Sequence, residues 1–174
     1  MKLTFPLTAA AIIAGGLFPV SGSFAAGDDS SDTPQCKRGQ VYDQTKKLCV
    51  QAQSGVVDDE SLASTAYALA KSGRFEEALA MLDLMQDSNT AEALNYRGYA
   101  TRKLGRVEEG IGYYRQSVAL DPDYTLVREY LGEAYVSQGK LDLAKAELAE
   151  IEKRCGTTCE PYEDLAEAIE AVDG

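Results

Sequence analysis

The sequence predicts an all-α body: about three pairs of helices stacked side by side and closed by a C-terminal capping helix, with a small disulfide-bridged hairpin in front. Three observations carry this. A six-residue pattern recurs at Gly73–Ala78, Gly105–Gly110 and Gly139–Ala144: a turn glycine, a basic residue, an apolar residue, an acid and, five places on, a small residue. The last two copies start 34 residues apart and the first two 32 apart, while Gly98 and Gly132, again 34 apart, precede the later turns by seven residues. A fixed period of this length marks a helical repeat. Finally, Tyr162, Leu165, Ile169 and Val172 recur at the three-four-three spacing of one helix face.

From the N-terminus, Met1-Lys2 precedes a mostly apolar run from Leu7 to Val20, and Ser23 and Ala25 supply small residues before a cleavage point. Residues 1–25 therefore read as a secretory signal. The run is too short for the roughly 20 residues of a membrane span, and no Cys follows it directly to take a lipid. The expected address is the periplasm, with full secretion as the alternative. Residues 26–35 are polar and acidic with hardly any large apolar residue, and read as a disordered leader.

Residues 36–50 form a unit of their own. β-prone stretches around Val41-Tyr42 and Leu48-Val50 flank a polar turn, which predicts a hairpin. Four cysteines allow three pairings, and the two short-range ones, Cys36–Cys49 and Cys155–Cys159, are expected in an exported chain. Closing the first loop would contribute about 3 kcal/mol to a hairpin that would otherwise hardly persist in water. Twelve residues between Cys36 and Cys49 are too many for a zinc knuckle, so no metal is expected. Residues 51–57 are a linker, and 58–174 the helical body.

Within that body the expected helices run over 59–72 and 74–87, 91–104 and 106–120, 123–138 and 140–154, with the cap over 160–172. Gly105 and Gly139 suit the left-handed residue that ends a helix. Gly98 and Gly132 cost about 1 kcal/mol each in a helix interior, tolerable where a neighbour must come close. Ala78 and Ala144 let paired helices lie near each other. Asp121-Pro122 is expected to cap and start the fifth helix. The Cys155–Cys159 bridge is expected to fix the angle of the cap, worth ~2 kcal/mol on the same entropy scale.

These residues resemble the tetratricopeptide repeat, a 34-residue helix–turn–helix unit, over about Asp58 to Lys153, in an exported bacterial type. The third copy matches best, through Leu131-Gly132, Tyr135, Gly139 and Ala144. The second departs at Thr101 and Gly110, and the first has Ala66 in the glycine position. The resemblance implies a right-handed solenoid whose first helices line a concave groove that binds a protein or peptide. Carried onto this chain, the groove positions are Ala63, Tyr67 and Lys71, then Asn95, Tyr99, Arg102 and Lys103, then Glu129, Glu133 and Ser137. An amide, two tyrosines and three cations suit an extended segment, with the cations holding an acid.

Catalytic machinery is not visible. The chain has no His, which removes the commonest general base and the usual nucleophilic triads. Ser137-Gln-Gly-Lys140 spells an acylase-like motif, but its Gly-Lys is already the repeat turn. Gly110-Ile-Gly112 lacks the strand that a nucleotide loop needs. Glu108 and Glu109 are adjacent on a helix and face different ways. No cofactor is expected, and a formal charge of −11 disfavours nucleic acid and anionic membranes. A second candidate contact is the hairpin itself. Cys36, Gly39, Val41, Tyr42, Asp43 and Cys49 look like the last part of small chitin-binding modules, which implies a weak glycan contact through an aromatic ring. An envelope chaperone-like subunit is the other alternative.

Overall fold

The computed structural model describes residues 36–43, 45–53 and 55–173. The expected signal, leader and cleavage point lie outside them. Two strands, β1 (Gln40–Asp43) and β2 (Leu48–Gln51), pair antiparallel with Val41 opposite Val50 and Tyr42 opposite Cys49. Asp43 organises the turn between them. Its Oδ1 accepts from the Thr45 and Lys46 amides at 3.0 and 2.8 Å, and its Oδ2 accepts from Lys46 Nζ at 2.6 Å. The Lys46 contacts hold this carboxyl below its ordinary pKa. The Cys36–Cys49 bridge closes the unit. The hairpin is not a free appendage, because Val41 is fully buried in one apolar cluster with Val57, Leu62 and Ala66.

Seven helices follow among the described residues: α1 (Asp59–Lys71), α2 (Phe75–Leu82), α3 (Ala91–Lys103), α4 (Val107–Leu120), α5 (Thr125–Ser137), α6 (Leu141–Cys155) and α7 (Glu160–Asp173). Asp58 caps α1 by accepting from the Ser61 amide at 2.8 Å, and Thr90 caps α3 through the Ala93 amide at 3.1 Å.

The three intra-pair turns are the same device. Gly105, at φ +86°, gives its amide to Arg102 O, and the next amide, Arg106 N, reaches back to Thr101 O at 3.2 Å. This double bond set satisfies carbonyls that a helix end would otherwise leave orphaned. The turns at Gly73 and Gly139 repeat both bonds, through Arg74 N to Leu69 O and Lys140 N to Tyr135 O, each 2.9 Å. The repeated glycine–basic pair is therefore a turn signal, and the Ser137–Lys140 motif belongs to it.

Two expected boundaries move. The second helix stops at Leu82 rather than 87, because the Asp59 carboxylate of α1 accepts the Gln86 and Asp87 amides at 2.8 Å each and pulls that segment out of the helix. Asp121 does not cap α5; it ends α4 in extended backbone and accepts from the Asp123 amide, and α5 starts at Thr125. The Pro122 carbonyl is instead held by Arg128 Nε and Nη2 at 3.0 and 2.9 Å, while Arg128 Nη1 pairs with Glu147 on α6 at 2.8 Å. An arginine staple, not a capping carboxylate, sets this loop.

Close approaches at glycine set how the helices stack. A Cβ on Gly98 would fall 2.6 Å from two ring carbons of the fully buried Tyr114, and one on Gly110 would lie 2.8 Å from Gly98 O. Gly110, standing where the other repeats carry Ala78 and Ala144, is thus required by the tighter crossing of α3 and α4. A Cβ on Gly132 would meet Leu165 Cδ1 at 2.6 Å, so α7 docks directly onto α5. Gly112 has nothing within 4 Å. Gly98→Ala should therefore lower unfolding free energy by about 1–3 kcal/mol through overpacking, whereas Gly112→Ala, in the same pair of helices, should raise it by about 0.5–1 kcal/mol. Urea unfolding of both variants checks the two signs; a stabilising Gly98→Ala would mean that the crossing is misplaced.

Candidate functional site: the face of the first helices

Helices α1, α3, α5 and α7 lie side by side, in contact along the series, and α2, α4 and α6 back them. Tyrosines run across that layer. Tyr67 on α1 and Tyr96 on α3 have ring centroids 5.0 Å apart, and Tyr99 on α3 and Tyr130 on α5 are 5.1 Å apart. Phe75 and Tyr114 extend the series from the backing helices at 6.4 and 6.2 Å. Such tilted pairs add about 0.5–1.5 kcal/mol each beyond their buried area. Burial raises the hydroxyl pKa of Tyr96 and of Tyr130.

The predicted positions divide. Tyr67 and Tyr99 are half-buried members of the aromatic series, with Lys71 Nζ 5.9 Å from the Tyr67 centroid and Lys103 Nζ 5.4 Å from that of Tyr99. Both lysines are exposed. Ala63 is buried, and Ser137 is exposed with its hydroxyl spent on Ala134 O.

Arg102 is not the free cation expected. Its side chain is only 10% exposed, and its Nη2 pairs with Glu133 Oε2 at 2.7 Å. Its Nε also points to Tyr114 OH at 3.4 Å. Burial acts to lower the guanidinium pKa, but Tyr114 and Glu133 outweigh it and the net shift is upward. Reversing this charge would break a buried pair and leave Glu133 uncompensated, so Arg102 holds α3 against α5 rather than waiting for an acid.

Asn95 and Glu129 occupy the same position of successive repeats, 34 residues apart, and both are buried. Asn95 Nδ2 donates to Tyr124 OH at 3.1 Å, whereas its Oδ1 has no hydrogen-bond partner. Glu129 is 3% exposed, and its Oε2 likewise has none. Burial, then the charges of Glu133, Asp164 and Glu160, push the Glu129 carboxyl up to about 8, with Lys71 opposing. An orphaned buried group ordinarily costs about 1–3 kcal/mol, so two at equivalent positions mark a place where stability is not the only demand.

Tyr96, Tyr124 and Tyr130, and Glu160 and Asp164 of α7, were not among the predicted site residues. A signal for each group exists in the chain. Tyr96 and Tyr130 are 34 apart like Asn95 and Glu129, and the Glu160–Asp164 spacing copies Glu129–Glu133. Among the described residues no helix is long and apolar enough to cross a membrane, and no group of three or more His, Cys, Asp or Glu could hold a metal ion.

The stacked helix pairs, the glycine turns and the layered first helices define a repeat scaffold. The tetratricopeptide repeat family model matches residues 63–125 and 97–156, and the chain belongs to that family. No curated protein matches it in sequence. Solved structures share the fold. The first TPR domain of the human RPAP3 protein is 20% identical, with a TM-score of 0.56 over 66% of this chain and 92% of that one. The Yersinia enterocolitica type III secretion chaperone SycD, in complex with a peptide of the translocator YopD, is 21% identical, with a TM-score of 0.54 over 66% and 91%. PcrH, in complex with the chaperone binding region of PopB, is 20% identical, with a TM-score of 0.54 over 68% and 98%.

Glu129 gives the site a measurable signature in stability. Its folded pKa lies above the ordinary carboxylate value of 4.5, so the folded state binds the extra proton. The stabilisation is complete below the unfolded pKa and is lost as pH rises through the folded one. Between about pH 4.5 and 8 the protein should lose stability on the order of 3 kcal/mol from this group. Glu129→Gln should remove that slope, as read by urea unfolding across the range; an unchanged slope would place the carboxyl in water.

Proposed function

We propose that this protein is exported to the periplasm and works there, without catalysis, as an adaptor that holds an extended segment of a partner protein on the face of α1, α3, α5 and α7. The observation that carries the reading is the pair of unpartnered groups at Asn95 and Glu129, on the same layer of first helices as the rings of Tyr67, Tyr96, Tyr99 and Tyr130. Rigid aromatic rings cover apolar side chains at small entropic cost, and orphan polar groups are matched by a bound backbone or side chain. Tyr67, Lys71, Asn95, Tyr99, Lys103, Glu129 and Glu133 form the proposed surface, with Arg102 as its internal brace. The two bridges, Cys36–Cys49 and Cys155–Cys159, and the apolar run before Ala25 support the exported address. SycD and PcrH, which share the fold and are described with bound partner segments, make an assembly chaperone the neighbouring version of the same activity.

A weak glycan contact through the hairpin is the second reading. Tyr42 lines a cleft with Gln40, Thr65, Leu69 and Arg74, so a ligand there would sit between hairpin and helices. Incorporating a photo-crosslinking phenylalanine analogue separates the two. At Tyr67 or Tyr99 it should yield a discrete crosslinked partner in cells, and at Tyr113, on the backing helix α4, it should yield none. Crosslinks only from Tyr42, or retention on peptidoglycan, would contradict the adaptor reading. Intact-mass measurement of the periplasmic protein should show a chain starting at Ala26 with no alkylatable thiol; an unprocessed N-terminus would contradict export.

A further inference from the structure

The groove has a charge pattern that its predicted cations do not suggest. Arg102, the most central of them, is consumed by Glu133 and Tyr114. Lys71 and Lys103 stand at the ends of α1 and α3 over tyrosine rings. Toward α7 the signs reverse: Glu129 and Glu133 stand one helical turn apart on α5, as do the exposed Glu160 and Asp164 on α7. All three neighbours act on the Glu129 carboxyl.

We propose that this acidic end of the groove, between α5 and α7, is a pocket for a cationic, donor-rich side chain of the partner, an arginine in an extended segment. The inference rests on the adaptor reading above, and names the chemistry of what is held.

The carboxyls gathered around the unpartnered Glu129 decide in favour of a cation. Glu129 Oε2 is buried without a hydrogen-bond partner, and Glu133, Asp164 and Glu160 all act on its carboxyl. An acidic ligand would add a further negative charge beside Glu133, Asp164 and Glu160, which act on Glu129, and like charges brought together repel. A guanidinium brings five N–H donors and no acceptor, in a planar fork that fits a carboxylate bidentately. A metal ion does not fit, since these carboxyls do not converge into a metal-holding group. The arginines on α5 and bonded to it already have partners. Arg128 on its own helix is tied to Glu147 of α6, Arg115 of α4 donates to Tyr135, and Arg102 of α3 serves Glu133. Lys71 of α1 opposes the rise in the Glu129 pKa, while its ammonium stands over the Tyr67 ring. No cation of the described residues forms an ion pair with Glu129.

Filling it would have a proton signature. Glu129, raised to about 8, is mostly protonated at neutral pH, and a bound guanidinium would favour the carboxylate. Arginine does not titrate in this range. Affinity for an arginine segment should therefore rise with pH and level off above about 8, which is roughly a tenfold gain from pH 7 to pH 9.

A positional-scanning library of end-blocked, fluorescein-labelled decapeptides tests this by polarisation on the purified full chain. The expected result is selection of arginine at one position, with arginine-to-citrulline exchange weakening the selected peptide at least about tenfold. Glu129→Gln should shrink that preference to about twofold or less and abolish the pH dependence. Asp164→Asn, on the exposed face of α7, should reduce the preference about threefold and guards against a folding effect at the buried site. Peptides that compete at Tyr67 and Tyr99 but show no preference for arginine, or prefer acids, would overturn the pocket and leave the groove standing. Failure of every peptide to bind would overturn both.

Discussion

The stacking depends on how closely the helices approach at two glycines. At Gly98 the ring of Tyr114 occupies the space a side chain would need, and at Gly132 Leu165 does the same. Neither contact is available to any other residue type without moving a buried group, and interiors packed at crystal-like density have little room to give. The first approach sets the angle between α3 and α4. The second brings the capping helix into the layer of first helices instead of leaving it behind them. From that second placement comes the acidic character of this end of the layer, because Glu160 and Asp164 act on Glu129 across the α5–α7 contact.

Stability and function pull apart at the centre of this layer. Elsewhere the polar groups named are matched: Arg128 to the Pro122 carbonyl and Glu147, Asp58 to Ser61, Ser117 Oγ to Ala91 O at 2.6 Å. Asn95 Oδ1, Glu129 Oε2 and, at the turn after α5, Gln138 Oε1 are exceptions, and the first two occupy the same position of consecutive repeats. Leucine at those places would remove the orphan acceptors from the groove floor. The recurrence of such an orphan at one repeat position is the physical reason for treating this face as a candidate binding surface, since rule-breaking groups concentrate where a protein does something other than fold.

The body was legible in the sequence because its signals are local and periodic. The glycine–basic turn pair, the 34-residue spacing of Gly98 and Gly132, and the amphipathic cap each encode one short-range geometry, and the structure repeats them. What escaped depends on contacts distant in the chain. The early end of α2 is imposed by Asp59, some 27 residues upstream. Asp121-Pro122 carries the composition of a helix start, but Arg128 captures the proline carbonyl and delays the helix. The pairing of Arg102 escaped for the same reason: it looks free on its own helix, and its partner Glu133 lies 31 residues away. Period predicts which residues share a face; it does not say which of them neutralise each other.

The central claim is that Glu129 sits buried and unpartnered in the layer of first helices, beside the carboxylates that α7 delivers. Carboxyl-carbon NMR of protein labelled at glutamate side chains, assigned through Glu129→Gln and titrated from pH 4 to 10, reads this directly. The account predicts one glutamate with a midpoint near 8, falling when Asp164 is changed to Asn. A Glu129 midpoint near the ordinary 4.5 would contradict it, because the carboxyl would then be solvated and the groove would hold no site of this kind.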